Sequence, residues 1–325
     1  SQPAEARDRY YDFVVCSFKN VPDYKSASAI IRPFLKRRES KEHKLPTIVL
    51  LQNGVGIEEE VQRNLVEGQE PVAAGVLSAV AWIGANLVQG GTKVVHGALE
   101  RLEVGAYPSH SARLGEDGMR QVSQSEQQAL DAFISIYTGG GGGGQAVSDI
   151  EAIRWKKVLW NASWGALASL SRTPISHLLT SSTLHYSVGV VRRIMLEIVY
   201  VARSCGLSES RFPISSVDQA LNISLSTAQV DGVRDESKGA TLAADFKPSI
   251  LLDLENRRPM ELEVIVGNVV SKARENNVET PRLDLVLAAL KPSQVAAVQS
   301  AIDKDGGEDL GIGVMRYEQL LSLIH

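Results

Sequence analysis

The sequence has 325 residues, a formal net charge of −4, 44% hydrophobic and 22% charged residues, and two cysteines. This length favours two globular domains, and the ordinary composition excludes collagen-like, disordered and disulfide-scaffold proteins. The sequence contains 34 Lys and Arg but 38 Asp and Glu, so it has no excess of basic residues to neutralise a nucleic acid backbone. We therefore expect no nucleic acid partner. Cys16 and Cys205 lie far apart in the sequence, which is more typical of a protein in a reducing compartment than of a disulfide framework. We therefore expect a cytoplasmic location, and a mitochondrial location is the alternative.

The first part of the chain alternates short apolar strands with helices. We predict strands at 13–18 and 47–51, a helix at 27–35 between them, and a second helix from Ile57 after the turn at 52–56. Strand, glycine-containing turn and helix in succession are typical of a parallel sheet. Further strands are expected at 72–80 and 92–105.

An uncharged stretch at 71–92 raises the question of a membrane span. Glycines, a serine, an asparagine and a glutamine interrupt it, so buried strands with a turn explain it better than a transmembrane helix. We therefore expect no membrane partner.

Six consecutive glycines, Gly139–Gly144, follow a helical segment at 125–137. The run formally contains G-x-G-x-x-G, but no strand ending in Asp or Glu follows about 20 residues later, as a ribose-binding carboxylate requires. We interpret it as a flexible connection between an α/β domain at 1–146 and a helical domain at 147–325. Helices are predicted at 147–171, 183–205, 215–228, 259–276, 281–290, 293–302 and 315–324.

The helix at 147–171 carries the first candidate site residues. Lys157, Asn161 and Gly165 are spaced by four, so they lie on one stripe of a helix that is otherwise apolar after residue 157. A lysine and an amide on a buried stripe need polar partners or a polar cleft. An ordinary surface lysine at a helix end is the alternative, and Lys156 points elsewhere, towards solvent.

A second candidate segment begins at Pro259, which is well placed to start a helix. Glu261 and Glu263 lie in its first turn, where the helix dipole favours carboxylates, and capping alone would explain one or both. If Glu261 faces Lys157, the pair forms a proton donor of tuned pKa with a carboxylate to orient it. Such a pair suits carbonyl reduction.

Four segments, in this order, resemble the signatures of ketopantoate reductases. They span essentially the whole chain: LLQNGVG (Leu50 to Gly56), RWKKVLWNA (Arg154 to Ala162), KPSILLDLENRRPMELEVIVGN (Lys247 to Asn268) and NVETP (Asn277 to Pro281). The resemblance implies a Rossmann-type parallel sheet domain followed by a helical domain of the 6-phosphogluconate-dehydrogenase-like kind. It also implies NADPH-dependent reduction of 2-dehydropantoate to pantoate, in pantothenate and coenzyme A biosynthesis, and leaves a homodimer open.

The resemblance also assigns roles at matching positions. Lys157 corresponds to the catalytic lysine that polarises the ketone and protonates the alkoxide, and Glu261 to the glutamate that holds the substrate hydroxyl and the lysine. Four further positions complete the implied site: Asn161 and Ser249 bind substrate, Asn53 lies between nicotinamide and substrate, and Lys19 lies near the cofactor.

Three departures from the family pattern put the substrate in question. Gly165 and Val266 stand where many members have asparagine, and the turn at 173–175 lacks an asparagine that some members have. Buried polar contacts discriminate between small 2-oxo acids. A reductase of a different 2-oxo acid is therefore an alternative.

The largest departure lies at the start of the chain. The family opens with a strand, a G-x-G-x-x-G/A loop and a helix, and none of these precedes Phe13. We expect a chain that lacks this pyrophosphate-binding segment, so a non-catalytic homologue acting as an oligomerisation or interaction module is the second alternative. The six histidines show no metal-ligand spacing, and we expect no metal.

Overall fold

The amino-terminal part of the chain forms one five-stranded sheet in the order β1 to β5. In the computed structural model, the described residues are 9–36, 40, 43–88, 92–108, 112–116, 118–227 and 246–305. Strands β1, β2 and β3 pair in parallel, β3 and β4 antiparallel, and β4 and β5 in parallel. The strands are β1 (Phe13–Cys16), β2 (Thr47–Leu50), β3 (Gly75–Val88), β4 (Lys93–Tyr107) and β5 (Gly144–Ala146).

The predicted alternation of strands and helices is confirmed for β1 to β3. The connection from β1 to β2 contains α1 (Ala27–Ile31) and a 3-10 turn, and the connection to β3 contains α2 (Ile57–Val61) and a π turn at Gln62–Val66. The four residues of β2 are all buried, because helices cover both faces of a parallel sheet. Most of the uncharged stretch forms one long strand, β3, which pairs in antiparallel fashion with β4 up to Val88 and Lys93, and residues 89–91 of the stretch lie outside the described residues.

The glycine run forms a compact turn at the edge of the sheet that is opposite to β1. Helix α3 (Gln124–Gly139) ends in the run, and Gly144 begins β5. A Cβ on Gly142 would lie 2.4 Å from the Tyr137 ring, and one on Gly143 would lie 2.9 Å from the Glu100 carbonyl oxygen. The glycines therefore let the backbone approach these groups closely, and the run connects α3 to β5 rather than cradling a phosphate.

The part after β5 is helical. The predicted helix at 147–171 is continuous, but a π turn at Asn161–Gly165 divides it, and a second π turn at Glu263–Gly267 precedes α10. The predicted helix at 315–324 lies outside the described residues. The helices are α4 (Ile150–Trp160), α5 (Ala166–Ser171), α6 (Ile175–Leu178), α7 (Leu184–Ser204), α8 (Ser215–Thr227), α9 (Ser249–Glu255), α10 (Asn268–Glu275) and α11 (Pro281–Asp305).

The break predicted near Pro292 is absent, because α11 runs through it. Proline removes one backbone hydrogen bond from a helix, but side chains on both sides of it hold the helix to its neighbours. Lys291 Nζ donates to Asp23 at 3.1 Å, and Gln294 Nε2 donates to the same carboxylate at 3.0 Å and to the Met260 carbonyl at 3.0 Å.

Helix α11 is also the one helix of the described residues that is long and apolar enough to cross a membrane. This holds by length and composition alone, for Pro281–Lys304. Its side chains Leu283, Val286 and Val298 are buried in the fold. About 33% of this apolar window is buried, and Leu285 on the same helix is 66% exposed.

The turn after β2 joins the sheet to the helical part. Gly54 has φ +96°, and a Cβ there would lie 2.2 Å from the Val264 carbonyl oxygen. The same carbonyl accepts a hydrogen bond from the Val55 amide at 3.0 Å, and Asn268 Nδ2 donates to the Val55 carbonyl at 2.7 Å. Only glycine fits a left-handed backbone pressed against another main chain.

We predict that Gly54→Ala lowers the free energy of unfolding by more than about 1 kcal/mol, because alanine is strained at positive φ and its Cβ would clash with Val264. Gly189→Ala in α7 is the matched control: its Cβ would meet only the Arg193 side chain, at 3.6 Å, and alanine should stabilise the helix by roughly 0.5–1 kcal/mol. Urea denaturation measures both. An unchanged midpoint for Gly54→Ala would contradict this account of the turn.

Candidate functional site

A buried arginine, Arg154, anchors the floor of the candidate site. Its side chain and that of Glu58 are 4% and 5% exposed and form an ion pair. The guanidinium also donates to the carbonyls of Gln52 at 2.7 Å and Gly54 at 3.0 Å, and to the Ser78 hydroxyl at 2.7 Å. Arg154 thereby fixes α4 against the carboxyl ends of β2 and β3, where open α/β sheets bind their ligands.

Lys157 lies one helical turn after Arg154 and reaches the middle of β3, just beyond the segment that pairs with β2. Its Nζ donates to the Ala81 carbonyl at 2.6 Å. Burial lowers the pKa of Lys157 to about 8, the positive charge of Arg154 lowers it too, and the carboxylate of Glu261 raises it. A lysine with such a pKa exchanges its proton near neutral pH. Lys156, by contrast, is exposed as predicted.

Glu261 is buried and lies opposite Lys157 across the site. Its carboxylate accepts hydrogen bonds from Asn53 Nδ2 at 2.8 Å and from the Asn20 amide at 3.1 Å. Glu261 and Lys157 interact through their charges, and the described residues contain no direct ion pair between them. The hypothesis that Glu261 merely caps a helix does not fit, because its partners come from two loops of the sheet.

The last residue of the predicted stripe on the long helix, Gly165, lies close to the start of α9. Asn161 is partly buried and opens the π turn that follows Lys157. Gly165 is buried, and a Cβ there would lie 3.7 Å from Pro248, the residue before Ser249. Ser249 is exposed as the first residue of α9. The structure therefore brings the helix that carries Lys157 and Asn161 close to the start of α9 through the contact of Gly165 with Pro248.

Lys19 lies on the other side of the site, after β1, at the mouth of a cavity. It forms an ion pair with Asp253, whose side chain is 2% exposed. Arg258 Nη2 approaches the second Asp253 oxygen at 3.4 Å. Burial raises the pKa of the Asp253 carboxyl and the two cations lower it. Two cations are thus held by one buried carboxylate.

The cavity beside β1 has a volume of about 930 Å³. Apolar side chains, including Val14, Phe18, Ile30 and Phe34, form most of its wall. Its polar groups are mainly cations, and an apolar space rimmed by cations suits an amphiphilic anion. The charged residues that line it are Lys19, Lys25, Asp253, Arg258 and Lys304.

Sequence reasoning missed four residues of this site, one of which is Arg258 at the rim of the cavity. Arg154 and Asp253 belong to the segments that resemble the family signatures, but no role was predicted for them. Because a buried charge needs partners, a charged residue within an apolar segment was the available signal. Trp82 was not considered either; its ring lies 5.9 Å from Lys157 Nζ. The one signal for Trp82 was a single aromatic residue in an uncharged strand.

No group of three or more His, Cys, Asp or Glu side chains that could hold a metal ion occurs within the described ranges.

Comparisons with known proteins point to one family. The family model described as "Ketopantoate reductase PanE/ApbA" matches residues 1–109, and "Ketopantoate reductase PanE/ApbA C terminal" matches residues 149–294. A 2-dehydropantoate 2-reductase of Methylococcus capsulatus has a similar structure, with a TM-score of 0.64 and 26% identity over 90% of this chain and 78% of that one.

Two curated relatives also match. An uncharacterized protein of Saccharomyces cerevisiae, YDL144C, is 28% identical over 86% of this chain and 71% of its own length. A 2-dehydropantoate 2-reductase of a Nostoc species is 25% identical over 75% of this chain and 64% of its own length. The chain thus spans about two thirds of these relatives.

We predict that Glu261→Gln lowers the pKa of Lys157 below about 8, because the variant loses the one carboxylate that stabilises the ammonium. NMR titration of the lysine Cε carbon signals measures this pKa. Glu263→Gln is the matched control, since Glu263 forms its ion pair with Lys291 and should leave Lys157 unchanged. An equal effect of both substitutions would contradict the arrangement described here.

Proposed function

Since the chain belongs to the ketopantoate reductase PanE/ApbA family, whose models match residues 1–109 and 149–294, we propose that it reduces 2-dehydropantoate to pantoate with NADPH. The observation that carries this proposal is the placement of Lys157, whose Nζ donates to the Ala81 carbonyl at 2.6 Å and lies close enough to Glu261 for that carboxylate to raise the pKa of the lysine. In the cell this reaction would serve pantothenate and coenzyme A biosynthesis.

Reduction of a ketone needs a hydride at the carbonyl carbon and a proton at the oxygen. NADPH supplies the hydride when bound. The proton would come from the Lys157 ammonium, which carries three N–H donors and gives one to Ala81. Another can reach the substrate oxygen, polarise the carbonyl and transfer its proton as the alkoxide forms.

Glu261 and Asn53 would position the substrate around this proton donor. The carboxylate of Glu261 is fixed by Asn53 and the Asn20 amide, so it keeps its place while it accepts a hydrogen bond from a substrate hydroxyl. Its charge also keeps Lys157 protonated to a higher pH than burial alone would allow. Asn161, on the helix that carries Lys157, and Ser249, at the start of α9, would complete the contacts with substrate.

The cavity beside β1 fits part of a dinucleotide. Residues along β1, from Phe13 to Val15, line it together with Phe18 and Lys19 after the strand, and Lys19 and Arg258 present cations at its rim. Asn53 follows β2 and donates a hydrogen bond to Glu261. We propose that Lys19, Arg258 and Asn53 hold NADPH. The glycine run at the opposite sheet edge has no part in this.

A second candidate function is an oligomerisation or interaction module without catalysis. One observation favours it: within the described residues, β1 pairs only with β2, and Val15 on this strand is 50% exposed. An unpaired edge is a template for another chain, so self-association, including the homodimer that the resemblance leaves open, stays a prediction.

NADPH binding separates the two candidates. We expect the chain to bind NADPH with a micromolar dissociation constant, measured from the fluorescence of the cofactor, and Lys19→Ala to weaken binding because the cavity rim loses a cation. Lys44→Ala, which removes a lysine that does not line this cavity, is the matched control. Absence of binding by the unmodified chain would favour the non-catalytic module.

We predict that Lys157→Ala lowers kcat for 2-dehydropantoate reduction by about a hundredfold or more, the range expected when a general acid is lost. Lys156→Ala, which removes the exposed neighbouring lysine, should leave kcat unchanged. NADPH oxidation measures both, and circular dichroism checks folding. Turnover of Lys157→Ala at the rate of the unmodified chain would remove this lysine from the mechanism.

The pH profile gives an independent readout of the same group. The protonated lysine is the active form, so kcat/KM should stay level below a pH of about 8 and fall above it. A profile that rises through this range would mean that Lys157 acts as a base.

A further inference from the structure

The hairpin of β3 and β4 brings an aromatic ring to the proton donor. The Trp82 ring centroid lies 5.9 Å from Lys157 Nζ, and Trp82 follows Ala81, whose carbonyl accepts the Lys157 hydrogen bond. The side chain of Trp82 is only partly buried. A substrate held by Lys157 would therefore lie within reach of the indole.

The position of the indole is fixed by two charged neighbours on β4. Trp82 Nε1 donates to Glu103 at 2.6 Å. Arg101, its direct partner in the strand register, places its guanidinium 5.7 Å from the ring centroid and forms an ion pair with Glu103 at 3.4 Å. A side chain that is fixed before binding presents its surface at a low entropic cost.

The side chain of Arg101 is held in place by its neighbours, but its guanidinium is accessible to solvent. Its side chain is 54% exposed, whereas that of Glu103 is 14% exposed. A guanidinium has five N–H donors and suits the two oxygens of a carboxylate. The ion pair with Glu103 joins one nitrogen, Nη2, to one carboxylate oxygen, so other guanidinium donors can bind an anion.

The helix that carries Lys157 offers few polar side chains after Asn161. Gly165, the next residue of the stripe, is buried and has no side chain, and Val266 in the second π turn of the helical part is completely buried in the core. Apolar contact is therefore one means by which the site can distinguish one ligand from another.

We propose that Trp82 and Arg101 determine the substrate: the indole packs against a branched, apolar C3 of a 2-oxo acid, and the guanidinium binds its carboxylate. This inference rests on the proposed function, since it assumes that Lys157 faces the C2 carbonyl. Under this proposal, the β3–β4 hairpin selects the 2-oxo acid that binds, and Lys157 on α4 supplies the proton. Both the branched carbon and the carboxylate are adjacent to C2, so one wall can contact both.

Binding of two simple acids tests the proposal without relying on turnover. The probes are 3-methyl-2-oxobutanoate, which is branched at C3, and pyruvate, which is not. Isothermal titration is done with NADP⁺ present, so that no reduction occurs. We expect the unmodified chain to bind the branched acid about tenfold more tightly or better, the range that added methylene groups give in an apolar pocket.

Variants then assign the preference to the hairpin. Trp82→Ala should reduce the preference to about twofold or less, and Trp82→Phe, which keeps an aromatic face, should retain most of it. Arg101→Gln should weaken the binding of both acids by a similar factor, about tenfold for a lost charged hydrogen bond. Val95→Ala, an exposed position on the same hairpin, should change nothing.

Several outcomes would overturn the proposal. Equal binding of the two acids by the unmodified chain, or no binding of either, would do so, as would a folded Trp82→Ala variant that keeps the full preference. NADPH oxidation reports separately on the proposed function. Preferential binding of the branched acid without any turnover would support the role of Trp82 and Arg101 and contradict the reductase activity.

Discussion

The fold and the site both depend on one buried guanidinium. Arg154 donates to the main-chain carbonyls of Gln52, just after β2, and of Ala79, within β3, and forms an ion pair with Glu58, while its own backbone belongs to α4. Loss of one partner from a buried ion pair leaves an uncompensated charge in the interior, which costs about 3–5 kcal/mol. This cost ties the helical part to the sheet in one orientation, and the rest of the site is built on that orientation.

The same guanidinium controls the chemistry of its neighbour. Lys157 follows Arg154 by three residues, so both point to the same side of α4. The charge of Arg154 adds to burial in lowering the pKa of Lys157, and Glu261 opposes both. Because Glu261 reaches the site from the far side and is held there by Asn53, the pKa of the proton donor depends on correct docking of the two halves. A chain in which the halves separate would lose both the geometry and the tuned pKa.

The sequence was informative where a periodic pattern decides the structure. Alternation of apolar runs with glycine turns predicted β1 to β3, and a four-residue spacing placed Lys157 and Asn161 on one stripe. It was less informative where tertiary contacts override local preference. Pro292 is a helix breaker by itself, yet α11 continues because Lys291 and Gln294 bind Asp23. Local pattern offered two hypotheses for Glu261, a helix cap or a partner of Lys157, but gave no sign of the hydrogen bonds from Asn53 and the Asn20 amide, which come from two loops distant in sequence.

The residues of the site lie on two kinds of element, a long hairpin and a helix of the core, and the lengths of the strands explain this arrangement. Strands β3 and β4 extend beyond their neighbours, with 14 and 15 residues against four in β1 and four in β2, so their hairpin projects past the sheet. Trp82 and Arg101 lie opposite each other on this extension, whereas Lys157 and Arg154 lie on a helix packed against the core. The two elements meet at Lys157, because its Nζ donates to the Ala81 carbonyl on the hairpin and lies 5.9 Å from the Trp82 ring. Burial is the main cause of the lowered pKa of Lys157, so the hairpin contributes to that pKa through the cover it provides, while Arg154 and Glu261 contribute through their charges.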